Sequence, residues 1–199
     1  MGSAPITKRL LKLYRQADEV ALIDGRGWYH AAHAECVDLA ERVGLSLETV
    51  VAVVASLSPG LRWQRNVSAA ERCIARYFGD VSAADAFRLR MVGTHYGRPI
   101  RAAYQCLRDG SEPTGPKVLR FYRNILGDEN EITLDRWALR AAIGREVPSG
   151  PVERRAVWAA YESAARITGE TPRGFQAVVW CVVRGSSSVN AQLKFELVA

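Results

Sequence analysis

Helical spacing of apolar side chains dominates the chain. Apolar residues recur three and four positions apart in most segments, whereas the alternation typical of half-buried strands is almost absent. This pattern predicts an all-α protein. Breaks rich in Gly, Pro, Asp and Ser separate the predicted helices. These helices cover 6–21, 28–43, 47–57, 62–78, 83–91, a segment from 100 to about 108, 116–126, a segment after 135, a segment ending at 167, and 173–183.

One predicted helix, 47–57, is apolar on nearly every side. Ser46 precedes it in the position of an N-cap, and Glu48 falls in its first turn, where a carboxylate is favoured. A helix without a polar face is usually buried. We therefore expect it to be the central helix, ended by the Ser58-Pro59-Gly60 break.

Two further breaks bear on the element boundaries. Asp24-Gly25-Arg26-Gly27 predicts a loop between the first two helices, because two glycines within four residues are typical of turns. Gly44 predicts the C-cap of the second helix. The last residues, 186–199, are predicted to form a tail that can hold a short strand at 193–197.

The stretch from Gly115 to Arg140 predicts a turn, a basic amphipathic helix, a polar loop and a second helix. Pro116 suits the first helical position, because its fixed φ fits there and its missing N–H is not needed. Thr133 or Asp135 can cap the second helix. Lys117 and Asp135 therefore lie near the starts of consecutive helices, 18 residues apart. The apolar face of the first helix is predicted to hold Val118, Phe121, Tyr122 and Ile125, and that of the second Leu134, Ala138 and Ala141.

The length of 199 residues fits one domain with a substantial core. We assign this all-α domain to 1–185, with a central helical lobe at 46–110 and a second lobe made of 1–45 and 111–185. The net charge of +6 favours a polyanionic partner. Arginine supplies nearly all of the positive charge and suits bidentate phosphate contacts, although a GC-rich genome explains the same bias equally well.

The four cysteines are scattered and form no C-x-x-C pair, which favours buried thiols in a reducing cytoplasm. His30 and His33 lie on one helix face, but the sequence shows no third ligand for a metal. No motif calls for a cofactor. No apolar run of 18 residues occurs, so we expect a cytoplasmic protein that does not enter a membrane.

Three segments resemble the helix–hairpin–helix/GPD superfamily of DNA glycosylases. Val50 to Asn66 matches its buried helix with a following turn, and Glu112 to Lys117 matches its hairpin and lysine-bearing helix. Thr133-Leu134-Asp135-Arg136-Trp137 matches its acid motif. The resemblance spans about 46–145 and implies a two-lobed helical fold of that type. The chain also resembles uncharacterised proteins of actinobacterial phages and mobile elements.

The resemblance implies a DNA-binding protein that excises or processes a modified base flipped out of duplex DNA. It gives Asp135 the role of the central carboxylate and Lys117 that of a nucleophile able to form a Schiff base. The first turn of a helix favours the neutral amine that such a nucleophile needs.

The resemblance and the charge pattern also predict the DNA contacts. Hairpin amides near Gly115 can form an anion nest, and arginines beside the turns can follow phosphates. The predicted phosphate contacts are Arg62, Arg65, Arg120, Arg123 and Arg136, and the predicted base pocket or wedge residues are Leu61, Trp63 and Trp137. His95 and Tyr96 can contact DNA or simply pack.

Departures from the family pattern leave other functions open. Gly60 stands where the family often has a glutamine, Pro113 replaces the first hairpin glycine, and Trp137 replaces a histidine. One alternative is a noncatalytic DNA-binding or accessory protein, and a second is an enzyme of phage-type DNA base hypermodification. A third is a helical module that binds only proteins.

Overall fold

The computed structural model describes residues 2–185, and every regular element in this range is an α-helix. The predicted all-α class is confirmed. The predicted tail, 186–199, with its strand, lies outside the described residues. The helices are α1 Ser3–Tyr14, α2 Glu19–Val43, α3 Leu47–Leu57, α4 Trp63–Phe78, α5 Ala83–Arg88, α6 Gly97–Asp109, α7 Pro116–Leu126, α8 Arg136–Ile143, α9 Pro151–Thr168 and α10 Pro172–Arg184.

The described residues divide into two compact units. The first comprises those within Met1–Tyr29 and Gly127–Ala199, and the second comprises His30–Leu126. Helix α2 contributes to both, since its residues up to Tyr29 belong to the first unit and those from His30 to the second. Residues 30–45 and 111–126, which the predicted lobes group with the termini, thus belong with the central segment.

Helix α3 is the core of the second unit. Its N-cap, Ser46, accepts a hydrogen bond from the Thr49 N–H at 3.2 Å, and every residue from Val50 to Leu57 is buried. Helices α4, α6 and α7 pack around it. The predictions that Ser46 caps this helix and that the helix is buried are confirmed.

The core of the first unit lies among α1, α8, α9 and α10. Aromatic packing contributes to it, because the Tyr14 and Phe175 rings stack at 5.1 Å and Tyr161 meets Phe175 edge to face at 6.0 Å. Tyr161 is fully buried and donates to the Ala138 carbonyl at 2.9 Å. The fully buried aliphatic members of this core are Ile6, Leu10, Ile132, Val157, Ala160, Ala164 and Val179.

The N-terminal helices differ from the prediction. Helix α1 ends at Tyr14 rather than at 21, and the predicted loop Asp24–Gly27 lies inside α2. The glycine there serves close packing: a Cβ on Gly25 would lie 2.5 Å from the Cα of Val178 in α10. The loop prediction is wrong because the glycine meets a helix 153 positions away in the sequence, which a local pattern does not reveal.

The short helix predicted at 83–91 ends at Arg88. Arg90 has φ +53°, in the left-handed region that a right-handed helix excludes. Helix α6 begins at Gly97, three residues before the predicted start. Within the described residues, no helix is both long and apolar enough to span a bilayer.

We predict that Gly25→Ala destabilises the protein. The new Cβ would overlap the Val178 backbone, and overpacking of this kind typically lowers the free energy of unfolding by about 1–3 kcal/mol, even though alanine is the better helix former. Urea unfolding followed by circular dichroism measures the change. Gly150→Ala is the matched control, because a Cβ there meets nothing within 4 Å and its φ of 167° suits any residue. Equal stability of both variants would contradict close packing at Gly25.

Candidate functional site

Asp135 is the N-cap of α8. Its Oδ1 accepts hydrogen bonds from the backbone N–H groups of Trp137 at 2.9 Å and Ala138 at 2.8 Å. Of the two predicted caps, Thr133 and Asp135, the structure uses Asp135. The carboxylate is half-buried and lies at the positive end of the helix dipole, which stabilises its charge. Asp135 therefore has a fixed orientation.

A buried polar network holds the residues just before Asp135. The Tyr29 hydroxyl lies 3.3 Å from both Thr133 Oγ1 and Gln176 Oε1, and all three side chains are buried. Tyr161 also lies near Asp135. Burial, the main cause, and the Asp135 carboxylate, the second, raise the pKa of the Tyr161 hydroxyl well above its usual value. Tyr161 consequently stays protonated and keeps its hydrogen bond to α8.

An ion pair fastens the start of the same segment to α10. Arg173, which is buried, donates to the Glu129 carboxylate at 2.9 Å, and its backbone N–H donates to the Glu129 carbonyl at 3.1 Å. The Arg173 guanidinium also lies 5.7 Å from the centre of the Tyr29 ring. The loop 127–135 is thus attached to α10 near its start, through Glu129, and to α2 near its end, through Thr133.

Three guanidinium groups surround the ring of Trp137, two residues after Asp135. Those of Arg136, Arg140 and Arg184 lie 5.6, 4.8 and 5.7 Å from its centre. Arg140 also forms an ion pair with Glu146. Trp137 is half-buried and the three arginines are exposed, so their charges face solvent.

A second tryptophan extends this group. The Arg184 guanidinium lies 4.5 Å from the centre of Trp180, between two indole rings, and Trp180 lies 5.9 Å from Trp28. We call Trp137, Trp180, Arg136, Arg140 and Arg184 the tryptophan–arginine array. Alternating cations and aromatic faces can bind phosphates and stack on bases.

We predict that Asp135→Ala lowers the free energy of unfolding by about 1 kcal/mol, as the loss of an N-cap usually does. Asp135→Asn should change it by only a few tenths of a kcal/mol, because asparagine caps helices about as well as aspartate. Urea unfolding of both variants measures the difference. An equal loss in both would show that the charge of Asp135, rather than its cap, stabilises α8.

The predicted nucleophile, Lys117, lies in the second unit, whereas Asp135 lies in the first. Pro116 begins α7 as predicted, and Lys117 is its second residue and half-buried. Gly115 has φ +98°, which only glycine adopts readily, and its carbonyl accepts from the Leu119 N–H at 2.9 Å. Gly115 is therefore the turn residue that directs the chain into α7.

The predicted phosphate contacts in the second unit differ in accessibility. Arg62, the N-cap of α4, and Arg65 are exposed. Arg120 and Arg123 are half-buried, and Arg123 pairs with Glu112, in the segment before α7, at 3.4 Å. Arg62 and Arg65 are therefore the more accessible to a phosphate.

Leu61 and Trp63 follow the turn after α3. Leu61 is half-buried, but Trp63 is only 5% exposed, so its ring packs inside the unit. Asn66 supports this turn, since its Nδ2 donates to the Val54 carbonyl at 3.0 Å near the end of α3. The Trp63 ring is therefore a packing group in this structure and is not open to a flipped base.

A carboxylate that the sequence pattern did not single out lies beside Trp63. Burial raises the pKa of Glu35 above its usual 4.5, the polar group of the nearby Trp63 side chain opposes the rise, and the Asp38 carboxylate adds to it. Glu35 lies on α2 and is half-buried. The sequence around Glu35 does not reveal this site, because Trp63 belongs to another helix, α4.

The raised pKa of Glu35 predicts a pH dependence of stability. The Glu35 carboxyl group loses its proton near pH 4.5 in the unfolded chain and at a higher pH in the folded chain. The free energy of unfolding therefore falls as the pH rises from about 4.5 to the pKa of Glu35 in the folded protein. Glu35→Gln, which cannot ionise, should remove this fall and be the more stable protein at neutral pH. Urea unfolding from about pH 4 to about pH 8 measures it. The exposed Glu41→Gln on the same helix is the control, and parallel curves for Glu35→Gln and wild type would contradict the prediction.

His33 and the four cysteines are held within the fold. His33 Nδ1 lies 2.9 Å from the Ile125 carbonyl, and the residues described hold no group of three or more His, Cys, Asp or Glu side chains that could bind a metal. All four cysteines are buried. An open groove of about 540 Å³ lies beside α1 in the first unit, and none of the predicted site residues lines it.

These observations define an all-α protein with a tryptophan–arginine array beside a helix-capping carboxylate. The model of a family of unknown function, DUF7178, matches residues 1–187, and the chain belongs to this family. No curated protein and no solved structure matches it.

Proposed function

We propose that this protein binds DNA and has a DNA glycosylase-like fold with which it excises or processes a modified base. The observation that carries the proposal is the tryptophan–arginine array, which begins at the residue after Asp135. Exposed guanidinium groups bind phosphates, and indole rings stack on bases. The array supplies both kinds of contact next to an oriented carboxylate.

Asp135 supplies the electrostatic part of the reaction. As the base leaves with the electron pair of the glycosidic bond, positive charge develops at the anomeric carbon of the sugar, and a fixed negative charge beside that carbon lowers the barrier. The cap to α8 and the Tyr29–Thr133 contact hold the carboxylate before substrate binds. Such pre-organisation is what electrostatic catalysis requires.

Lys117 supplies the amine in this proposal. Its neutral nitrogen forms a bond to the anomeric carbon as the base departs with the electron pair of the glycosidic bond and takes up a proton from solvent. The resulting ammonium loses one proton to solvent, the ring oxygen takes up a proton as its bond to the anomeric carbon breaks, and the product is a protonated imine. The position of Lys117 after the Gly115 turn, in the first turn of α7, supports the assignment. Within residues 2–185, the other lysines are Lys8 and Lys12 of α1.

A noncatalytic DNA-binding protein is the second candidate. The observation that favours it is the cap itself, because stabilising α8 is a sufficient structural reason for Asp135. In that case Asp135→Asn and Lys117→Ala would leave DNA binding and its biological effect unchanged. An enzyme of base hypermodification would instead release a modified nucleotide or leave an altered base rather than an abasic site.

Borohydride trapping tests the proposal. Wild-type protein, incubated with duplexes that carry damaged or modified bases, should form a covalent adduct that Lys117→Ala abolishes and the control Lys12→Ala retains. Asp135→Asn should lower the adduct yield at early times by about 10²–10³-fold, the usual loss for a preorganised electrostatic group. The folded state of each variant is checked by circular dichroism.

Two results would contradict it in different ways. The absence of adduct and of abasic product over the whole panel, with DNA binding intact, would exclude the excision chemistry and favour the noncatalytic protein. The absence of DNA binding at low salt would exclude both and favour a helical module that binds proteins.

A further inference from the structure

Tyr96, in the loop between α5 and α6, is an aromatic side chain 56% exposed to solvent. Its ring lies against Gly60 in the turn after α3. A Cβ on Gly60 would come within 3.1 Å of Tyr96 Cε2, closer than most such contacts. Gly60, with φ +80°, thus leaves the space that one edge of this ring occupies.

The loop that carries Tyr96 is attached to the second unit at several points. Arg72 Nε and Nη2 both donate to the Val92 carbonyl at 3.1 Å. Thr94 is buried, and its Oγ1 accepts from the Tyr96 N–H at 3.3 Å. These contacts fix the backbone on both sides of residue 95, so Tyr96 is presented in one place.

The two chain segments that meet at this ring are positively charged. Residues 58–65 and 93–101 contain no acidic residue. They carry four exposed arginines, which are Arg62, Arg65, Arg98 and Arg101. A fixed exposed ring with cations on both flanking segments matches a nucleic acid strand, whose bases stack on aromatic rings and whose phosphates pair with arginine.

We propose that Tyr96, supported by Gly60, is a stacking site for an unpaired base of DNA, with Arg62 and Arg98 contacting the phosphates on either side. This inference rests on the DNA binding in the proposed function and adds a contact on the second unit. A protein partner with an apolar surface would use the ring but not the arginines.

Fluorescence anisotropy with a labelled duplex containing a single-stranded gap tests this site. Tyr96→Ala should weaken binding at least about fivefold, as the loss of one stacked base does, whereas Tyr96→Phe should stay within about twofold. The control is Phe78→Ala, which removes an equally exposed ring elsewhere in the unit and should leave affinity unchanged. Tyr96→Ala should not change the slope of log affinity against log salt, whereas Arg98→Ala should reduce it by about 0.7–0.9.

A base analogue gives a second readout. The fluorescence of 2-aminopurine placed in the gap should be quenched by wild type and by Tyr96→Phe but not by Tyr96→Ala. Unchanged affinity and quenching in Tyr96→Ala would overturn this site and leave the proposed function standing. Failure of the wild type to bind any DNA at low salt would overturn both. DNA binding that depends on Tyr96, without borohydride adduct or abasic product, would support this site and overturn only the excision chemistry.

Discussion

The close contact between the backbones of α2 and α10, at Gly25 and Val178, is the constraint on which the first unit depends. Because residue 25 has no side chain, the two helices approach within the space of one Cβ. The next turn of α2 then places Trp28 against Trp180 and Tyr29 within reach of Gln176 and Thr133. One member of the tryptophan–arginine array, Trp180, and one residue of the Asp135 segment, Thr133, thus both meet α2 in the turn after this contact.

Asp135 stabilises α8 and is also the carboxylate of the proposed chemistry. Its cap contributes about 1 kcal/mol to α8, a substantial part of the net stability of a small protein. The same two hydrogen bonds orient the carboxylate, and the buried Tyr161 lies close enough for the Asp135 charge to affect its pKa. The group that caps α8 is therefore the same one that the proposed chemistry requires to be oriented, and Asp135→Asn separates the two roles because it keeps the cap and removes the charge.

The sequence predicted the parts of the fold that local signals determine. Ser46 was identifiable as a cap, Asp135 as one of two candidate caps of α8, and the apolar run 50–57 as a buried helix, because these signals lie within a few residues. The loop predicted at Gly25 was wrong because its reason is a distant helix. The contributions of Arg184 to the array and of Trp63 to the pKa of Glu35 likewise depend on chain segments that only folding brings together.

A crystal structure of the protein bound to a duplex with a stable abasic-site analogue tests the central claim most directly. We expect the Asp135 carboxylate to lie within about 4 Å of the C1′ atom of the extruded abasic nucleotide, close to reacting distance. We also expect Arg136, Arg140 or Arg184 to contact a neighbouring phosphate. A complex in which DNA lies on another surface, with Asp135 serving only as the cap of α8, would contradict this claim.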